Sequence, residues 1–315
     1  ARQQAAADGN EESGLLAGGD EHLDISALET WLWDAACAIR GATDAPKFKD
    51  FILPLIFFKR LSDVFEDEFA AHVKEYGDEK LVRSIIEADL AHALKSGSTP
   101  IIRFYVPGNY SWKAIRNHGA DGRLGEFLTG ALREVARLNP DLQGVLDIKD
   151  YNERQSGQRT LDDDRLASLI EILSRHRLGL ANTEPDILGR AYEYLLRKFA
   201  EGQGQSAGEF YTPKEVGELI AELIDPHPFS TIYDPACGTG GMLSVAERYI
   251  LDLNAEADPH LFGQDWNDES WAICKADMLI KGEDADNIIL GDTFTRDGFD
   301  RDADGRPEPV PQRCA

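Results

Sequence analysis

The sequence predicts an α/β protein in two unlike parts: a mostly helical region to about residue 178, followed by the first half of a doubly wound parallel sheet. Three observations predict it. Apolar residues recur at helical spacing through the first part. Short apolar runs alternate with helical stretches between residues 230 and 292. A glycine-rich turn, Asp234-Pro235-Ala236-Cys237-Gly238-Thr239-Gly240-Gly241, stands between the first such run and the helix-like stretch from Met242 to Ile250.

Residues 1 to 23 are rich in Ala, Gln, Gly and acids and poor in large apolar side chains, which predicts a disordered tail. Ser26 and Glu29 have the spacing of a capping box, and Leu28, Leu32, Ala35, Ala36 and Ile39 form one helical face up to Gly41 as a stop. Pro46 opens a second helix, and Pro54 inside it is expected to kink or break it. Segments 80 to 96, 123 to 138 and 160 to 178 carry the same periodicity, with connections such as Val106-Pro107-Gly108-Asn109. The region from 24 to 178 is therefore expected to form a helical unit, stable by itself. At helical spacing Trp31, Trp33, Phe57, Phe58 and Tyr105 are read as core rather than as stacking platforms for bases. Lys47, Lys49, Lys59 and Arg60 suit a solvated basic face as well as a phosphate contact, so no site is assigned to them.

The second unit, residues 179 to 300, opens with a helix from Pro185 to Phe199 and a polar loop from Glu201 to Gly208 that either closes over a ligand or simply connects. Thr212 as N-cap, Pro213 at the first helical position and Glu215 then predict a helix whose apolar face is Val216, Leu219, Ile220, Leu223 and Ile224. Strands follow at Ser230 to Tyr233, His260 to Asp265 and Asn287 to Asp292, with a helix through Lys281 between the last two. Residues 301 to 315 read as an irregular tail.

Composition bounds the partners. With 33 Lys+Arg against 57 Asp+Glu the formal net charge is -24, which opposes direct association with a polyanion. The four cysteines show no metal-ligand spacing, so no metal is expected, and Cys237 reads as a small packing residue. The longest apolar run, Phe51 to Phe58, is far below the ~20 residues of a spanning helix, so a cytoplasmic chain without membrane contact is expected.

The chemistry is concentrated at the ends of the three strands, where open α/β sheets bind ligands. A glycine-rich turn built for pyrophosphate presents backbone N–H groups to negative charge. A turn headed by Asp234 instead suits a ligand with a cationic part, and S-adenosylmethionine, with its sulfonium and amino group, is such a ligand. Gly238, Gly240 and Gly241 leave room for close approach, Asp265 can accept both ribose hydroxyls, and Asp292 can accept the adenine amino group beside Thr293.

Gly208-Glu209-Phe210-Tyr211-Thr212-Pro213, followed by the Asp234 to Gly241 turn, resembles the modification (M) subunit of type I restriction-modification systems, an adenine-N6 DNA methyltransferase. The stretches Leu32-Trp33-Asp34-Ala35-Ala36, Phe48 to Asp63 and Leu188 to Leu196 extend the resemblance over residues 24 to 294. It implies an S-adenosylmethionine-dependent methyltransferase sheet, of which this chain holds the first half. It also implies a cofactor pocket completed by Glu209, Phe210, Tyr211, Thr212, Pro213 and Lys214, together with Asp234, Ala236, Gly238, Thr239, Gly240, Gly241, Asp265, Asp292 and Thr293. The implied partners are a specificity (S) subunit, a restriction (R) subunit and, through that complex, duplex DNA. The family's target-base clamp, Asn/Asp-Pro-Pro-Phe/Tyr, is absent from these 315 residues. Asp225-Pro226-His227-Pro228-Phe229 and Asn139-Pro140-Asp141 do not supply it. No catalytic residue is therefore assigned, and the chain reads as shortened and silent by itself. Two other readings are a non-catalytic cofactor- or partner-binding fragment and an NAD-dependent enzyme. The second fits the strand, loop and helix but not Asp234 or the missing G-x-G-x-x-G.

Overall fold

The computed structural model describes residues 22–299 apart from 97, 99, 120–121, 156, 185 and 200–211. The expected tails at 1–23 and 301–315, the 201–208 loop, and Glu209, Phe210 and Tyr211 fall wholly or almost wholly outside the described residues.

The helical part consists of α1 (Ile25–Ala38), α2 (Phe48–Tyr76), α3 (Glu79–Ser96), α4 (Trp112–His118), α5 (Leu124–Leu138) and α6 (Asp163–Leu173). A two-residue hairpin pairs β1 (Arg154–Gln155) with β2 (Gln158–Arg159). The second part begins with α7 (Ile187–Phe199) and α8 (Lys214–Ile224). It continues as β3 (Thr231–Asp234), α9 (Gly241–Leu253), β4 (His260–Asp265), α10 (Asp268–Lys281) and β5 (Ile288–Leu290). The strands are parallel in the order β3-β4-β5, the arrangement expected of consecutive β-α-β crossovers.

Several local expectations are corrected. The first helix is capped by Asp24, whose carboxylate accepts from the Ala27 amide at 2.8 Å, so Ser26 lies inside the helix and forms no capping box. Pro54 does not interrupt α2. The helix runs on because its face (Ile52, Leu55, Ile56, Phe58, Leu61) is wholly buried, and Tyr151 Oη donates to the Phe51 carbonyl at 2.8 Å in the turn that the proline loosens. Lys59 and Arg60 are buried, not solvated. Lys59 Nζ pairs with Asp63 at 2.7 Å, and Arg60 Nη1 donates to the carbonyls of Leu178 and Gly179 at 2.6 and 2.7 Å. Burial pushes the Lys59 ammonium below its ordinary range, against the pull of Asp63. Trp31, Phe57, Phe58 and Tyr105 are core as expected, whereas Trp33 is exposed and stacks on Phe199.

One large apolar core joins α1, α2, α5 and α6 to Ile187, Leu188, Ala191, Tyr194 and Leu195 of α7, and also to Ala272, Ala276 and Ile280 of α10. A smaller cluster beneath the sheet holds Cys237, Leu243, Leu261, Cys274, Met278 and Ile288. The two clusters share α10, whose opposite sides face each of them. Between them Asp277 of α10 is buried and pairs with Lys281, one turn on in the same helix, at 2.6 Å. Burial holds the Asp277 carboxyl above its usual range, opposed by Lys281 and then Arg60.

Candidate functional site

The turn after β3 is fixed from several directions. Cys237 N donates to Gln264 O at 3.0 Å, which docks the turn on the end of β4. Asp265 is almost fully buried: its Oδ2 accepts from Gly238 N and its Oδ1 from Asn267 N, both at 2.9 Å. Gly240, with φ 86, is the N-cap of α9, and a Cβ on it would stand 2.8 Å from Cys274 Sγ. A side chain is excluded there by both backbone and packing. Cys237 is buried beside Cys274 and Gly263, the small packing role expected of it.

Above this turn lies a cleft of about 1000 Å³. Its walls come from α7 (Tyr192, Glu193, Leu196), Thr212 before α8, the 234–239 turn, and Asp265, Trp266 and Asn267 after β4. The expected residues Thr212, Asp234, Ala236, Gly238, Thr239, Gly241 and Asp265 are thus brought together. Asp234 Oδ1 accepts from Ala236 N at 3.0 Å, and burial raises its carboxyl above the ordinary value, with Asp265 adding to the rise.

Other expected positions sit differently. Asp292 follows β5 but does not line the cleft; its Oδ1 caps Phe294 N at 3.0 Å. Thr293 Oγ1 donates to the Pro235 carbonyl and so supports the turn from behind. Thr212 does not cap α8, because the helix starts one residue later than expected: Pro213 occupies the N-cap position without a side-chain bond. The predicted apolar face of α8 is exposed, with Leu223 at 75%. The helix packs on α9 through Gly217, against Met242 and Val245.

Three residues escaped sequence reasoning. Trp266 is 74% exposed on the cleft wall directly after Asp265, an aromatic behind a strand-end acid. Gln264, buried, ties the segment after β5 to the sheet through Gly291 O, Arg296 O and Gly298 N. Glu193 lies within the helix predicted from Pro185 to Phe199, and its cleft position shows only once α7 is placed against the turn.

The arrangement is an acid-lined, half-open cleft whose floor is backbone. It suits a ligand that carries hydroxyl and cationic donors, since carboxylates offer only acceptors. Among the described residues no helix is long and apolar enough to cross a membrane.

Comparison with known proteins agrees with this architecture. The HsdM N-terminal domain family matches residues 28–173 and the N-6 DNA Methylase family matches residues 183–306. The MjaIX type I restriction enzyme methylase subunit of Methanocaldococcus jannaschii is 28% identical over 292 residues, covering 89% of this chain and 50% of that protein. The HindI methylase subunit of Haemophilus influenzae is 31% identical over 213 residues, covering 61% and 46%. The crystal structure of the type I restriction-modification methyltransferase subunit from Streptococcus thermophilus shares the fold, with a TM-score of 0.63 and 22% identity over 87% of this chain and 60% of that one. The chain spans about half the length of the curated relatives it matches.

Proposed function

We propose, for a chain that belongs to the family of modification subunits of type I restriction-modification systems, that its acid-lined cleft binds S-adenosylmethionine as the cofactor-holding part of an adenine-N6 DNA methyltransferase. The observation that carries this reading is the turn headed by Asp234 and clamped at Gly238 by Asp265 from the next strand. The residues suit the cofactor. Gly238 has φ 55 and nothing within 4 Å of the place a Cβ would occupy, so the floor of the cleft is open to a ligand.

Asp265 would hold the ribose, because each carboxylate oxygen keeps a lone pair beyond the backbone N–H it already accepts. Asp234 would face the positively charged methionine end, together with Thr212 and the Glu209 to Lys214 segment. Trp266 would cover the adenine, taking the wall that Asp292 does not reach, while Thr293 holds the turn through the Pro235 carbonyl. Bound there, the cofactor supplies an electrophilic methyl group. The chain's own contribution is to hold and orient it.

Transfer to DNA requires a clamp for the flipped adenine, and the sequence contains no Asn/Asp-Pro-Pro-Phe/Tyr. The chain is placed within a larger assembly on its charge: a specificity subunit would supply the DNA contacts that a net charge of -24 disfavours, and a restriction subunit would complete the system. The binding part of this reading is tested by photolabelling. Irradiation with methyl-labelled S-adenosylmethionine should mark peptides containing the 234–241 turn or Trp266, with S-adenosylhomocysteine as competitor. Label confined to other peptides would overturn it. The assembly part is tested by gel shift and methyl incorporation. Tight duplex binding at physiological salt, or methylation of DNA by these residues alone, would contradict it.

A further inference from the structure

We propose that Glu193 contacts the cofactor directly, accepting a hydrogen bond from the amino group of its methionine end. This rests on the reading of the cleft as an S-adenosylmethionine site. The geometry starts at Gly189, whose missing side chain lets α7 abut the glycine turn: a Cβ there would stand 2.7 Å from Thr239 Oγ1. Glu193 lies one turn further along the same helix face and lines the cleft with Tyr192 and Leu196.

Its carboxyl has no hydrogen-bond or ion-pair partner among the described residues, although two arginines are close in sequence. Arg190 Nε is committed to Asp186 at 3.0 Å and Arg197 to Glu29. Burial pushes the Glu193 carboxyl up to about 8, so its position opposes the charged form and is not accounted for by folding. An acceptor held half-buried on a ligand cleft, without a protein donor, calls for a donor from the ligand. Which donor follows from the layout of the turn. Asp265 holds it at Gly238, and α7 abuts it at Thr239. A ribose seated at Asp265 leaves the α7 wall to the amino-acid end, whose ammonium is a cationic donor.

The test is calorimetric titration of the full chain and of Glu193→Gln, which keeps the shape and one acceptor but cannot ionise beside a bound ammonium. Three probes are used: S-adenosylmethionine, S-adenosylhomocysteine and 5′-methylthioadenosine, the last lacking the amino-acid end. The expected result is about tenfold or greater weakening for the first two and less than about twofold change for the third. Equal weakening of all three would make Glu193 a shaper of the cleft and overturn the proposal, as would unchanged affinity for all. Wild-type chain that binds none of the probes would overturn the cofactor reading itself. Unchanged secondary structure and melting of Glu193→Gln at acidic pH separates a lost contact from a lost fold.

Discussion

Replacing Asp265 with alanine removes one of two links between the glycine turn and the second strand of the sheet and leaves the bond from Cys237 N to Gln264 O. The carboxylate is buried, and its two oxygens each accept one backbone N–H at 2.9 Å, from Gly238 and Asn267. Hydrogen bonds to a charged group contribute ~1.5–3 kcal/mol each, so the gross loss is about 3–6 kcal/mol. Two effects reduce it: the turn is half-exposed, so the freed amides rehydrate, and the desolvated charge is itself relieved. A net destabilisation of about 2–3 kcal/mol follows, a shift of roughly 4–12 °C in melting temperature for a domain of this size. Asp265→Asn retains one acceptor oxygen and should lose about half as much. Urea unfolding followed by circular dichroism measures the stability, and titration with S-adenosylmethionine measures a further binding loss of ~1.5–3 kcal/mol from the missing ribose acceptor. An alanine variant that melts within about 1 °C of wild type would refute the clamp. One that is destabilised yet binds with wild-type affinity would remove Asp265 from the ligand site.

Other perturbations probe separate elements. Gly240→Ala places a side chain at φ 86 and 2.8 Å from Cys274 Sγ, so a loss of about 2–4 kcal/mol is expected by denaturant titration; a neutral change would show that the N-terminus of α9 relaxes freely. Asp277→Ala leaves the buried Lys281 without its ion-pair partner, with an expected cost of about 3–5 kcal/mol; Asp277→Ala within about 1 kcal/mol of wild type would show that water already reaches the pair. Glu193 has a folded-state value near 8 against an ordinary value of about 4.3, under the influence of burial, Arg190, Asp186 and Arg197. Between those values the folded chain binds a proton that the unfolded chain has released. Its contribution to stability is therefore intact below about pH 4.3 and is lost as pH rises towards 8. Glu193→Gln should melt progressively higher than wild type across that window and equally at pH 4, while a pH-independent difference would contradict the assignment.

The parallel sheet was legible because its signals are local. His260 to Asp265 is a strand with the predicted bounds, and the Asp234 to Gly241 turn lies where its glycines and the flanking periodicities put it. Helix starts were less legible, since Asp24 rather than Ser26 caps α1 and Pro213 rather than Thr212 precedes α8; competing cap residues a position or two apart differ little in energy. Burial of charge was not legible at all. Lys59 and Arg60 have the composition of a surface face, and only the return of the chain at Leu178 and Gly179 supplies the carbonyls that Arg60 meets inside, while Lys59 is buried against Asp63. The join between the two parts was hidden for the same reason. Periodicity identifies α7 and α10 as amphipathic, but not that their apolar faces enter the core of the preceding helices. At the site, Asp234, Gly238 and Asp265 could be read from their positions at strand ends. Asp292 could not be separated from them, because like Asp234 it stands at a strand end and accepts from the amide two residues on, and only the placement of the segment after β5 leaves it off the cleft.

Calorimetric titration of the 315-residue chain with S-adenosylmethionine, with NAD in parallel, decides whether the cleft is a site for the methyl donor. Saturable one-site binding of S-adenosylmethionine is expected, competed by S-adenosylhomocysteine and accompanied by a stabilisation of about 2.7 kcal/mol at a hundredfold excess over Kd. No comparable response to NAD is expected, because its pyrophosphate would meet the carboxylates of Asp234 and Asp265. Saturable NAD binding, or an S-adenosylmethionine titration without heat or thermal shift, would contradict the cofactor reading.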